Sequence, residues 1–142
     1  MKICADSSFI VSSYIRDTHS DEAIHRIKSS LPIWISPLNR AELAHAIQQY
    51  VFRKVITDAE ARRAWGEFSR DCLEGPWIHF DLPERTWETS IELAQRYGPT
   101  HGVRTLDSLH VACALELKAQ RFWTFDQRQA KLAEAVGLNT NP

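Results

Sequence analysis

Short apolar runs alternate along the chain with stretches in which apolar residues recur every three or four positions. The four short runs span residues 2–5, 33–36, 77–80 and 121–125. Apolar runs of this length, bounded by turn formers, acidic residues or helix starts, are typical of buried strands. The pattern therefore predicts four strands separated by longer amphipathic segments.

Apolar residues at helical spacing fill the segments between these runs. They recur every three or four positions within residues 43–55 and 106–117, as on one face of a helix. Strands that alternate with helices favour a parallel sheet, because a parallel connection must cross over the sheet and usually does so as a helix. We expect an α/β fold, a three-layer α/β/α sandwich with a central, mainly parallel sheet of four to five short strands. The length of the chain predicts a single domain over residues 1–142.

Local signals mark several helix ends. Thr57 and Asp81 each precede a glutamate by three residues. This is the spacing of a capping box, so helices are predicted to begin directly after these two residues. Gly98, which Pro99 follows, and Gly137 are typical of helix ends.

The composition adds little about binding partners. The net charge is −1, from 17 Lys and Arg against 18 Asp and Glu, which gives no overall attraction to nucleic acid. Cys4, Cys72 and Cys113 lack the spacing of metal ligands and predict reduced thiols in a cytoplasmic protein. No charge-free run approaches membrane-spanning length, so we expect no membrane partner.

Four carboxylates lie where a parallel sheet would bring them to one edge. Ligands bind at the carboxyl ends of the strands in such sheets. Asp6 follows the first predicted strand and Asp126 follows the fourth. Glu42 lies about two turns beyond the second strand, and Asp107 falls in the first turn of a predicted helix. We expect the four side chains to converge, and if one is peripheral we expect Glu42 or Asp126.

Each acid alone has a simpler interpretation as a helix cap, a favourable charge at a helix start or a solvated surface residue. Together, however, four close carboxylates would raise one another's pKa unless a cation neutralised them. Oxygen ligands without a cluster of Cys or His favour Mg²⁺ or Mn²⁺ over Zn²⁺. Such an ion polarises a phosphate and activates water for in-line attack. The acids therefore predict metal-dependent hydrolysis of phosphodiesters.

Four motifs, in order and over nearly the whole chain, carry a family resemblance. They are Ala-Asp-Ser-Ser at residues 5–8, Asn-Arg-Ala-Glu-Leu at 39–43, Arg-Thr-Leu-Asp-Ser-Leu-His at 104–110 and Trp-Thr-Phe-Asp at 123–126. In these motifs the chain resembles the PIN-domain ribonucleases, and among them the VapC-type toxins of toxin–antitoxin pairs.

The resemblance implies a role for each matched residue. The catalytic, metal-binding acids would be Asp6, Glu42, Asp107 and Asp126, with Mg²⁺ or Mn²⁺ as the cofactor. Ser8 and Thr124 resemble polar residues that orient these acids or a metal-bound water, the kind of support that metal sites need.

The resemblance also implies partners and a product. It implies a homodimer, an antitoxin that inserts a segment into the acidic groove, and cleavage of RNA that leaves a 5′ phosphate. Some members have a further acid just after the fourth, where this chain has Gln127, Arg128 and Gln129. The number of metal ions, one or two, therefore stays open.

Other residues and functions compete with this interpretation. Arg40, close to Glu42, is a candidate RNA contact, whereas His110 is interpreted as a packed histidine rather than a ligand or general base. One alternative is a phosphatase of the haloacid-dehalogenase type with an aspartyl nucleophile, although Ser8 stands where such enzymes place a second Asp. Another is a catalytically silent PIN-fold adaptor that binds RNA or protein.

Overall fold

A parallel four-stranded sheet forms the centre of the molecule. The computed structural model describes residues 1–30 and 32–142. Within them the strands are β1 (Ile3–Ala5), β2 (Ile33–Ile35), β3 (Trp77–His79) and β4 (Arg121–Trp123). Their order is β3-β2-β1-β4, and every neighbouring pair is parallel. The four predicted strands and the parallel sheet are confirmed.

Seven helices connect and cover these strands in the described residues. They are α1 (Ser7–Tyr14), α2 (Ser20–Ser29), α3 (Pro37–Phe52), α4 (Asp58–Glu74), α5 (Thr86–His101), α6 (Thr105–Glu116) and α7 (Gln127–Ala135). None of them is long and apolar enough to cross a membrane, in the part of the chain that the structure describes.

The two faces of the sheet carry separate apolar clusters. Along β1, Ile3 and Ala5 pack with residues of α1 to α4, whereas Cys4 packs with residues of α5, α6 and α7. This alternation follows from the two-residue period of a strand, which points successive side chains to opposite faces. The arrangement is the predicted three-layer sandwich, with four helices on one face and three on the other.

The predicted helix boundaries agree with the structure in part. The Thr57–Glu60 capping box is present and α4 begins at Asp58, as predicted. The start predicted after Asp81 is wrong, because α5 begins only at Thr86. Pro83 explains the delay, since a proline disfavours helical backbone in the residue before it.

The end of α5 also differs from the prediction. The helix continues through Gly98 and Pro99 to His101, and it ends at Gly102, whose backbone is left-handed at φ 61°. Pro99 lies in the last turn, where the loss of one amide donor is tolerated more readily than in a helix interior. The predicted end at Gly137 is confirmed, with φ 92° and amide-to-carbonyl bonds that close a Schellman motif.

The cysteines are free thiols, as predicted. Cys4 and Cys113 are buried, and burial raises the pKa of the Cys4 thiol to about 12. Both thiols therefore stay protonated at neutral pH and act as packing residues.

The two glycines Gly137 and Gly66 provide a matched test of this backbone geometry. A β-carbon would meet no atom within 4 Å at either position, but only Gly137 has a positive φ. Gly137→Ala is expected to lower the free energy of unfolding by about 1 kcal/mol. Gly66→Ala, within α4, is expected to raise it by about 0.5–1 kcal/mol. Urea denaturation measures both, and equal signs would contradict this account of the Gly137 turn.

Candidate active site

Asp6 lies at the junction of β1 and α1, beside the end of β4. Its amide donates to the carbonyl of Trp123 at 3.0 Å, which joins the ends of the two neighbouring strands. Its Oδ1 accepts from the hydroxyl of Ser8 at 2.7 Å and from the amide of Phe9 at 3.1 Å. Its Oδ2 accepts from the hydroxyl of Thr124 at 2.7 Å. Asp6 is thus both the N-cap of α1 and a carboxylate held at the strand ends.

Burial dominates the electrostatics of Asp6. The residue is only 4% exposed, and this desolvation raises the pKa of its carboxyl. The hydrogen bonds from Ser8, Thr124 and Phe9 oppose the rise, as does the charge of His110. The raised pKa therefore comes from loss of water and not from the repulsion between acids that the sequence led us to expect.

Glu42 projects from α3 and bonds to the same region through two donors. Its Oε1 accepts from the hydroxyl of Ser7 at 2.8 Å and contacts Nε2 of His110. Partial burial acts to raise the pKa of Glu42, but the hydrogen bond and charge of His110, with the Ser7 hydroxyl, hold it below its ordinary value. His110 is buried, as predicted, yet its ring bonds to a site carboxylate instead of only packing within the helix layer.

Asp107 and Asp126 share one guanidinium. Nε of Arg104 donates to Oδ2 of Asp107 at 3.0 Å, and Nη2 lies 3.6 Å from Oδ2 of Asp126. The hydrogen bond to Asp107 is the main reason why the pKa of Arg104 is raised. Arg104 is 65% exposed, so its charge is screened by water and its side chain is free to move.

Buried amides fix the helices that carry these acids. Nδ2 of Asn39 donates to the carbonyl of Ala5 at 3.1 Å, which ties α3 to the end of β1. Nε2 of Gln129 donates to the carbonyl of Asp107 at 3.1 Å, which ties α7 to α6. Both amides are 2% exposed. The relative positions of the acids are therefore set by hydrogen bonds within the core.

The four acids are linked into one region by hydrogen bonds, ion pairs and adjacent positions in the chain. Thr124 links Asp6 to Asp126, because its hydroxyl donates to Asp6 and accepts from the Asp126 amide at 3.0 Å. Arg104 links Asp126 to Asp107. Glu42 joins through Ser7, which directly follows Asp6 in the chain. Ser8 and Thr124 thus contact the acids at the positions that the sequence predicts.

Positive charge in this region comes from Arg104 and, when protonated, His110. Across residues 1–30 and 32–142, no three His, Cys, Asp or Glu side chains are grouped closely enough to hold a metal ion. The donors are nevertheless carboxylate oxygens, which suit a hard divalent cation. Oδ1 of Asp107 and Oε2 of Glu42 accept no hydrogen bond from the described residues. The type of donor in this site therefore suits such a cation, although the side chains are not grouped around one in this arrangement.

The arginine that contacts the acids is Arg104 and not Arg40, the arginine that was singled out from the sequence. Arg40 forms no ion pair with any of the four acids in the described part of the chain, and its charge acts on Cys72 and His79 instead. Arg104 was not singled out from the sequence, yet it contacts two of the acids. Arg104 directly precedes α6 and lies three residues before Asp107, and its place within the motif at residues 104–110 was a signal that could have indicated it.

Asp6→Asn tests the buried carboxylate. A raised pKa in the folded state means that wild-type stability falls as pH rises from the unfolded value of about 3.9 through the folded pKa. The asparagine variant does not titrate and can still cap α1. The difference in free energy of unfolding, asparagine variant minus wild type, is therefore expected to increase as pH rises through this window. Denaturation in chelator at a series of pH values measures it, and a decrease would contradict the assignment.

Two substitutions of Asp126 separate the stability that its N-cap gives to α7 from the stability that its ion pair with Arg104 gives. Its Oδ1 accepts from the amides of Arg128 and Gln129 at 2.9 and 3.1 Å. Asp126→Ala is expected to lower the free energy of unfolding by about 1 kcal/mol, because α7 loses its cap. Asp126→Asn keeps the cap and should cost much less. Equal losses in thermal or urea denaturation would indicate that the contact with Arg104 matters more than the cap.

Comparison with known proteins supplies the family. The model of the PIN domain matches residues 3–135. No curated protein matches the chain.

Among solved structures, the fold is similar to VapC20 of Mycobacterium tuberculosis, a toxin that cleaves the sarcin–ricin loop. The TM-score is 0.72 at 17% identity, over 99% of this chain and 100% of the other. It is also similar to VapBC2 of Rickettsia felis, solved with promoter DNA, with a TM-score of 0.73, 14% identity and coverages of 99% and 98%. FitAcB of Neisseria gonorrhoeae gives a TM-score of 0.66, 16% identity and coverages of 99% and 97%. These likenesses show the fold, and the family model, which spans most of the sequence, shows that the chain belongs to the PIN-domain family.

Proposed function

We propose that residues 1–142 act as one metal-dependent endoribonuclease domain and that the protein is the toxin of a toxin–antitoxin pair. The observation that supports this most is the linkage of Asp6 and Asp126, after the carboxyl ends of β1 and β4, to Asp107 in the first turn of α6, in a chain of the PIN family. Divalent metal dependence is general to PIN nucleases. For this chain we propose Mg²⁺ or Mn²⁺ as the ion.

The residues have distinct roles in this proposal. Asp6, Glu42, Asp107 and Asp126 hold the cation, and Ser8 and Thr124 keep the carboxylate of Asp6 in place through their 2.7 Å hydrogen bonds. A divalent ion supplies polarisation of the scissile phosphate and activation of water. Arg104, which is exposed and pairs with Asp107 and Asp126, would have to release these acids for them to hold a cation, and its guanidinium could then contact the substrate.

RNA is the proposed substrate class, and an antitoxin is the proposed protein partner. The relative from Mycobacterium tuberculosis is a sarcin–ricin-loop-cleaving toxin, and two of the similar structures are VapBC2 and FitAcB. Identities of 14–17% support the class of reaction and not a particular RNA target. A homodimer remains a prediction.

The alternative functions have less support. In a haloacid-dehalogenase-like phosphatase a second aspartate follows the nucleophile by two residues. Here Ser8 occupies that position and donates its hydroxyl to Asp6, and the chain belongs to a different family. A silent adaptor would have no need of four carboxylates linked into one region.

Asp6→Asn and Asp107→Asn test the proposed chemistry. Each substitution removes one negative charge from the cation site, so Mg²⁺-dependent cleavage of RNA is expected to fall about a hundredfold or more. Asp81→Asn is the matched control, because Asp81 follows β3 and is exposed. Gel analysis of total RNA incubated with Mg²⁺, with a parallel reaction in EDTA, measures cleavage.

Circular dichroism establishes that each variant is folded. Cleavage by both site variants at the rate of wild type, in preparations free of contaminating nuclease, would contradict the proposal. Cleavage in EDTA that Mg²⁺ does not increase would contradict its metal dependence.

A further inference from the structure

A cationic groove opens beside the proposed active site. It has a volume of about 770 Å³ and is lined by Thr100, His101, Arg104, Asp126, Gln127, Arg128 and Lys131. Three of these residues are Lys or Arg and one is an acid, in a chain whose overall net charge is −1. Positive and negative charges nearly balance over the whole chain, whereas positive charges are in excess in this groove.

Arg128 and Lys131 provide positive charge that no ion pair neutralises in the described part of the chain. They lie three residues apart on α7, a spacing that places side chains on one helix face with β-carbons about 5–6 Å apart. Both are exposed, and neither forms an ion pair within residues 1–30 and 32–142. Arg16, Arg26 and Arg62, in contrast, each pair with an acid of their own chain.

The groove is continuous with the acids of the site. Asp126 lines it, and Arg104 extends from it to Asp107 at 3.0 Å. Asp126 also lines a second groove of about 520 Å³ on the side of Ser8. That second groove contains one arginine, Arg53, and two carboxylates, so it lacks the excess of positive charge.

We propose that the cationic groove binds the sugar–phosphate backbone of the RNA strand next to the scissile bond, with Arg128 and Lys131 contacting phosphates. The inference rests on the proposed nuclease function. The lining favours RNA over a protein segment, because all seven residues are polar or charged. A protein interface of this size would offer aromatic or aliphatic anchors at its centre.

The salt dependence of RNA binding tests the groove directly. Each phosphate contact to a single strand contributes about 0.7 to the slope of log affinity against log salt concentration. The probe is a fluorescein-labelled 20-nucleotide oligouridylate, titrated with the full chain in EDTA so that it is not cut. The double variant Arg128→Ala/Lys131→Ala is expected to bind roughly tenfold more weakly at low salt, with a slope smaller by about 1.4.

Two further variants make the result specific. Lys28→Ala/Arg70→Ala removes two exposed charges from α2 and α4 and should keep the wild-type slope. Arg128→Lys/Lys131→Arg preserves the charges and should also keep it. In Mg²⁺, the alanine double variant should raise KM for cleavage and leave kcat within about twofold, because phosphate contacts next to the scissile bond act mainly on binding.

The outcomes separate this inference from the nuclease proposal. Equal affinity and slope for wild type and the alanine double variant, while wild type cleaves RNA, would overturn the groove alone. Weaker binding of a labelled 20-residue polyglutamate by the double variant, with unchanged binding of the oligouridylate, would also overturn it and assign the groove to an acidic protein segment. A smaller salt slope for the alanine double variant than for wild type, together with a wild type that cleaves no RNA, would support the groove and overturn the nuclease proposal.

Discussion

A buried carboxylate that must be fully hydrogen-bonded organises this molecule. Asp6 accepts from the Ser8 hydroxyl, the Phe9 amide and the Thr124 hydroxyl, and burial without such partners would cost several kcal/mol. Its donors come from the first helix and from the end of the last strand. The same bonds that make burial of this charge tolerable therefore hold β1, α1 and β4 in register.

The remaining acids depend on contacts with other side chains. Arg104 bonds to Asp107 and Asp126, and His110 bonds to Glu42. These pairs reduce the repulsion that four carboxylates would otherwise exert on each other. They also differ in mobility, since His110 is enclosed by the core whereas Arg104 is mostly exposed to water. The Arg104 side of the site is thus the side that can rearrange at low cost.

Patterns of a few neighbouring residues were sufficient to predict the elements and site positions that depend only on such neighbours. The strands, the Thr57 capping box and the positions of Asp6 and Asp126 after strands follow from patterns of a few residues. To predict the late start of α5, the effect of Pro83 on the backbone would have to be weighed against the capping-box spacing that begins at Asp81. Contacts such as His110 with Glu42, 68 residues apart in the chain, depend on how helices pack and on which rotamers fit, so no local pattern reveals them. The cationic groove could not be predicted from the net charge. The net charge is a sum over the whole chain and does not show which charges the fold brings together on one surface.

The bond between Thr124 and Asp6 joins residues 118 positions apart. Asp6 therefore leaves the ribosome well before its partner Thr124 has been synthesised. A nascent chain that lacks β4 also lacks one of the two strands with which β1 pairs. An unfinished chain, or one truncated before β4, thus carries the first acid without the surroundings that position it. During synthesis, the order of the strands therefore delays assembly of the site until β4 has been made.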